Sequence, residues 1–179
     1  MTAPIRIHLA EYDPEWARKF EHEANRIGTV LGARALKIEH VGSTSIPGLV
    51  AKPIIDIVLV VLESAKEDQY ATALEKAVYQ LSIREPDWYE HRMFKSPDGD
   101  VNLHVFSVGC PEIERMLSFR DWLRISESDR KLYAQRKHDL AQSDWKCVQH
   151  YADAKSAIVN EILSRTCSAA FPRVSSLDG

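Results

Sequence analysis

The sequence predicts an α+β fold: a small mixed sheet with packed helices and a helical C-terminal half from about residue 110. Three observations carry this expectation. "PIIDIVLVV", residues 53–61, is dense in β-branched residues and broken only by Asp56, the pattern of a strand buried on both faces. "YDPEWARKFEHEANRIGTVLG" repeats apolar groups at Trp16, Phe20, Ala24, Ile27 and Leu31, which lie on one face of a helix. From residue 110 onward the chain reads as three helices punctuated by Ser126 and Ser143 as caps.

In chain order, the first helix has both ends marked. Asp13 is a candidate N-cap, Pro14 suits the first helical position, and Gly32 stops the run. "ALKIEHV", residues 35–41, alternates as a strand does, and the 53–61 strand follows after a loop. "ESAKEDQYATALEKAVYQL" places Ser64 and Glu67 at capping-box spacing, with Ala71, Leu74, Val78 and Leu81 in one stripe, so a second helix is expected there. "HRMFKSPDGDVNLHVFSV" holds two alternating stretches around Pro97-Asp98-Gly99-Asp100, which is hairpin chemistry. A single domain over residues 1–168 is expected, with a small polar tail at 169–179 that frays.

Composition bounds the function. In 179 residues, 45% hydrophobic and 27% charged content excludes wholesale disorder, and a formal charge of -3 does not suit a nucleic-acid coat or an anionic-membrane binder. Cys110, Cys147 and Cys167 are odd in number and lack CxxC spacing, so neither a disulfide framework nor a zinc knuckle is expected, and a reducing cytoplasm is the natural setting. No signal peptide or membrane span is read from the chain, whose longest apolar run, 54–61, contains Asp56. No nucleic acid and no membrane is expected as a partner, and no feature specifies an oligomeric state.

The chemistry concentrates in "EHVGSTSIPGLVAKPIIDIVLVV", residues 39–61. Gly42, Ser43 and Thr44 leave a strand with exposed backbone N–H groups and hydroxyls, a place that suits phosphate, and Lys52 adds a positive charge on the return path. The alternative is a tight corner before a buried strand. Asp56 is the sharper signal: an ionised carboxylate in a dry core is costly, so it must reach an edge, a metal or a hydrogen-bonding partner.

"IEHVGSTSIPGLVAKPIIDI" resembles the signature of the GrpB family, of UPF0157 type, within the nucleotidyltransferase superfamily. "EYDPEWARKF", "NLHVF", "LSFRDWLR", "YAQRKHDLA" and "YADAKSAIVNEIL" resemble the family's other blocks in the same order, over about residues 5 to 165. The resemblance implies a polymerase-β-like fold in which Gly42 and Ser43 hold a nucleoside triphosphate. It also implies a strand presenting two carboxylates at Asp-x-Asp spacing, one on each side of an intervening residue, to magnesium or manganese. Asp56 fits the first carboxylate; the second position is Val58, which ligates nothing. His104, on a face shared with Asn102 and Asp100 if alternation holds, is a candidate metal ligand, general base or phosphate donor. Carboxylate oxygens for a two-metal centre would have to come from elsewhere, such as Glu39 or Asp100.

Other residues carry two readings each. Arg92 and Lys95 flank the hairpin turn and suit a triphosphate or an acidic acceptor, or else protect a sheet edge. Arg120 and Arg124, four apart on a helix, suit a phosphate clamp or an inter-helix salt bridge. His40 suits substrate contact, or an orienting or structural role. Lys137 and Lys155 raise the question of a helical lid, while Trp122, Tyr133 and Tyr151 read as core.

The leading expectation is a nucleotidyltransferase-like protein binding a nucleoside triphosphate with Mg2+ or Mn2+ and modifying a small-molecule or protein acceptor. Asp56 and His104 would hold the metal and carry catalysis. The alternatives are a catalytically degenerate module binding a nucleotide, a coenzyme-A-like metabolite or a protein, and a single-metal hydrolase or transferase with a histidine base.

Overall fold

The structure, a computed structural model, describes residues 6–170; the part of the expected tail beyond Ala170 lies outside the described residues. Helix α1 (Glu15–Leu31) precedes strand β1 (Lys37–Val41), and β2 (Ile55–Val61) follows a loop containing a single 3₁₀ turn, Ser43–Ser45. Then come α2 (Ala71–Lys76), β3 (Gln80–Glu85), β4 (His91–Lys95) and β5 (Val101–Ser107). The helical half comprises α3 (Pro111–Ile125), α4 (Glu127–Ala141), α5 (Val148–Ala154) and α6 (Ser156–Ala170). The described strands form one five-stranded sheet in the order β1-β2-β5-β4-β3, in which only β2 and β5 run parallel.

Period-2 alternation divides β2 between two layers. Ile55, Ile57, Leu59 and Val61 pack with Trp16, Ile27 and Leu31 of α1, Leu74 of α2 and Phe94 of β4. On the opposite face Val58 and Val60 pack with Phe106, Ile113 and Leu117 beneath α3. Asp56 shares that second face, and so lies where the sheet meets the helical half. Ile46 and Leu49 of the loop bury themselves against Leu123, Tyr133, Ile158 and Ile162, which docks the loop onto α3, α4 and α6.

Two expected elements take another form. The second helix is only Ala71–Lys76, after a 3₁₀ turn at Glu67–Gln69, and its expected last turn is strand β3. Ser64 is fully buried and its hydroxyl donates to the Glu90 carbonyl at 2.9 Å, so it ties two loops together and does not cap. Val78 takes φ +71, which ends the helix and turns Tyr79 into the core, where packing overrides the apolar stripe. The helical half has four described helices where three were expected. Ser126 caps α4 by accepting from the Asp129 N–H at 3.4 Å, whereas Ser143 follows the end of α4 and Cys147 precedes α5.

Candidate functional site

Gly42 follows β1 with φ +70, a conformation in the left-handed half of backbone space that favours glycine. A Cβ there would lie 2.6 Å from Asp56 Oδ2, so the residue's small size lets the loop backbone approach the carboxylate. The turn that follows is held from several sides. Ser45 Oγ donates to the Gly42 carbonyl at 2.6 Å, and Thr44 Oγ1 donates to the Ile54 carbonyl at 3.1 Å. From α3, Arg124 donates Nε and Nη2 to the Ser45 carbonyl at 3.1 and 2.9 Å. One turn earlier, Arg120 donates to Glu39 at 2.7 Å and to the His40 carbonyl at 3.0 Å.

The parallel register of β2 and β5 sets Asp56 beside Asn102 and Val58 beside His104. Asn102 Nδ2 donates to Asp56 Oδ1 at 2.9 Å, and His104 Nε2 stands 3.6 Å from the same oxygen. The Asp56 side chain keeps 31% of its surface open. Burial alone would raise its pKa; the His104 and Asn102 contacts and the Lys52 charge outweigh burial and hold the carboxyl below its ordinary range.

His104 is backed by two further groups. His91 Nε2 lies 3.0 Å from His104 Nδ1, and His91 Nδ1 lies 2.7 Å from Glu85 Oε2. An ionised carboxylate only accepts, so His91 carries its proton on Nδ1 toward Glu85 and accepts at Nε2 from His104 Nδ1–H. That leaves His104 Nε2 aimed at Asp56. His91 is buried and stacked on Phe106 at 4.8 Å between ring centroids, and burial pulls its pKa down.

These groups open onto a cleft of about 710 Å³ that is also lined by Ser43, Lys52, Lys95, Lys137, Tyr151 and Lys155. Lys155 Nζ lies 4.5 Å from the centre of the Tyr151 ring and Lys52 Nζ lies 5.8 Å from it. Lys137 is buried and donates to the Val50 carbonyl. Burial, reinforced by Lys155, lowers Lys137 to about 7; burial and Lys52 lower Lys155 to about 8. Lys52 is lowered as well, first by burial. The buried Tyr151 hydroxyl has no hydrogen-bond partner among the described residues.

A two-metal centre does not fit these residues. Val58, at the second carboxylate position, is fully buried among apolar side chains. Glu39 is held by Arg120, and Asp100 is held by Lys19 and by Ser96 at 2.8 Å. Among the described residues no group of three or more His, Cys, Asp or Glu side chains is placed to hold a metal ion. Asp56 and His104 are the two side chains at this place that could ligate an ion.

The structure thus brings Ser43, Thr44, Lys52, Asp56, Lys95 and His104 to one cleft. Thr44 is buried, with its hydroxyl also 3.0 Å from His40 Nε2. His40 is buried and stacked on Phe20 at 4.8 Å, and burial lowers it to about 4. Arg92 faces the other side of β4, where it donates to Glu67 at 2.6 Å and to the Glu90 carbonyl at 2.9 Å. Arg120 and Arg124 grip backbone carbonyls of β1 and the loop. His91 and Glu85 were not anticipated, because nothing local in "HRMFK" shows that His91 sits across β5 from the Asp56 strand.

The fold is that of the polymerase-β-like nucleotidyltransferases. A chain of the GLD-2/RNP-8 complex matches with a TM-score of 0.60 over 94% of this chain and 69% of that chain, at 11% identity, a likeness of fold alone. The chain belongs to the GrpB family: the family model, GrpB protein, matches residues 6–165, as the signature block predicts. It is 64% identical over 159 residues to a UPF0157 protein of Halalkalibacterium halodurans, covering 89% of this chain and 82% of that one. The crystal structure of the conserved protein GrpB from Enterococcus faecalis matches with a TM-score of 0.80 at 32% identity, over 91% of this chain and 99% of that one. A dephospho-CoA kinase of Mycolicibacterium paratuberculosis is 32% identical over 166 residues, a match covering 78% of this chain and 40% of that protein.

Proposed function

We propose that this chain is a nucleotidyltransferase-type module that binds a nucleoside triphosphate in the cleft with one divalent cation, Mg2+ or Mn2+, and serves a cytoplasmic small-molecule or protein acceptor. The observation that carries the reading is the Asp56–His104 pair, 3.6 Å apart, facing a cleft lined by four lysines. Asp56 and His104 would hold the cation, which supplies charge neutralisation at the phosphates when bound. The chain's own residues do the rest. Lys52, Lys95, Lys137 and Lys155 balance a polyphosphate of several negative charges, Ser43 offers a hydroxyl, and His91 with Glu85 holds the His104 ring in place.

The test is the melting temperature of the wild type and Asp56→Ala against ATP, GTP, CTP and UTP, with and without Mg2+ or Mn2+. A nucleotide at about 100 times its dissociation constant adds roughly 2.7 kcal/mol, a rise on the order of 5 to 11 °C for a chain of this size. A metal-dependent rise that Asp56→Ala abolishes supports the reading; no rise with any nucleotide overturns it.

A second reading is a catalytically silent module that binds a nucleotide or a coenzyme-A-like metabolite. The buried Val58 favours it, as does the dephospho-CoA kinase among the relatives. Adding coenzyme A and dephospho-CoA to the same panel separates the two, because a shift with these ligands that needs no metal belongs to the second.

A further inference from the structure

A second cavity, of about 260 Å³, shares Asp56 and His104 with the cleft but is walled by α3 and α6 through Met116, Phe119 and Val159. Asp56 lines both spaces, and its two oxygens have different neighbours. Oδ1 takes the Asn102 hydrogen bond, and Asn102 lines the cleft. Oδ2 is the oxygen beside Gly42, which lines the second cavity, and among the described residues no hydrogen bond reaches it.

Glu112 supplies a second carboxylate to this cavity and is buried. Arg115 donates to its Oε1 at 3.1 Å and spends another N–H on Asn160 at 3.0 Å, while no hydrogen bond from the described residues reaches Oε2. The polar end of the cavity therefore offers two acceptor oxygens on carboxylates beside His104, and the one guanidinium that lines it among the described residues is already engaged by Glu112 and Asn160. Carboxylate oxygens that face a cavity without a hydrogen bond favour a charged donor over a neutral one. The remaining wall is apolar, and the volume lies just below the roughly 300–1,000 Å³ of drug-sized sites, which suits a compact ligand.

We propose that this cavity binds a small primary amine on a compact apolar body, with its ammonium group toward Asp56 and Glu112 and its apolar part against Met116, Phe119 and Val159. That this amine is the second ligand, bound beside a nucleotide, rests on the reading of the cleft given above; amine binding itself does not.

The probe is benzylamine, titrated calorimetrically at pH 7 into wild type, Glu112→Gln and Val159→Trp, with benzyl alcohol and phenylacetate as comparisons. Benzylamine binds the wild type at least tenfold more tightly than either comparison, Glu112→Gln weakens it at least tenfold, and Val159→Trp, which fills the cavity, removes it. Equal binding of benzyl alcohol, full binding to Val159→Trp, or no binding to the wild type each overturns the proposal. Should Val159→Trp fail to fold, Glu112→Gln decides, and unchanged affinity there is the overturning result. The ATP-dependent melting shift of the wild type is read in parallel: a shift without amine binding overturns the amine site alone, and amine binding without a shift leaves the amine site standing and removes its role beside a nucleotide.

Discussion

At Gly42 one missing side chain governs the relation between loop and carboxylate. Gly42→Ala puts a Cβ 2.6 Å from Asp56 Oδ2 at φ +70, and is expected to cost about 1–3 kcal/mol of stability, measured by urea unfolding. It also displaces Asp56, so the metal-dependent nucleotide shift falls with it. Ser43→Ala is milder. It removes one neutral hydrogen bond, worth roughly 0.5 to 1.5 kcal/mol of nucleotide affinity, and a large fall in melting temperature without ligand would remove Ser43 from the site. At this scale the sequence was legible where a residue type conflicts with its surroundings. Asp56 stands out in an aliphatic strand and Gly42 in a strand exit. His91 does not, because its role comes from a partner on another strand, 3.0 Å away and 13 residues along the chain.

Helix α3 acts on the loop through its two arginines, and the four-residue spacing that suggested a phosphate clamp instead places both guanidiniums over backbone carbonyls. Arg124→Ala frees the Ser45 carbonyl from two hydrogen bonds. It is expected to lower stability by about 1–3 kcal/mol and to weaken the nucleotide shift, because the turn that presents Ser43 loosens. Arg92→Met separates the two effects. Hydrogen bonds from Arg84 and Arg92 hold the Glu67 carboxyl at about 2, so losing Arg92 lowers the melting temperature, while the nucleotide shift keeps its size because Arg92 does not line the cleft. A diminished shift in Arg92→Met would return that residue to the site. Among the elements, α1, β1, β2 and the β4–β5 hairpin were legible from periodicity and turn chemistry. Helix α2 and strand β3 were not, since Val78 and Tyr79 continue a helical stripe in sequence and only burial of Tyr79 against the sheet turns the chain there.

Over the whole molecule, burial of cationic groups makes both stability and binding depend on pH. His40 titrates at about 4 in the fold against an ordinary 6.5, because burial disfavours its charged form. Between those values the unfolded chain binds more protons than the folded one, so stability falls as pH drops through the window, by about 3 kcal/mol at most, and melting temperatures from pH 7 to 4 measure it. Lys137, at about 7, and Lys155, at about 8, follow the same rule at higher pH: stability without ligand gains from both as pH rises from 7 toward 10. Nucleotide affinity has the opposite slope, because a polyphosphate needs both ammonium groups charged; the dissociation constant for ATP is expected to rise between pH 7 and 9, and a flat profile would take both lysines out of the site. By itself the sequence determined the fold class, the family, the Gly42–Ser43 loop and the unusual Asp56, since each is written in local pattern or in a residue at odds with its neighbours. Only the tertiary structure decided which cations face the cleft, that Val58 is sealed in an apolar layer, and that His91 stands behind His104. Those are relations between segments far apart in the chain, set by strand register and by how α3 to α6 pack over the sheet.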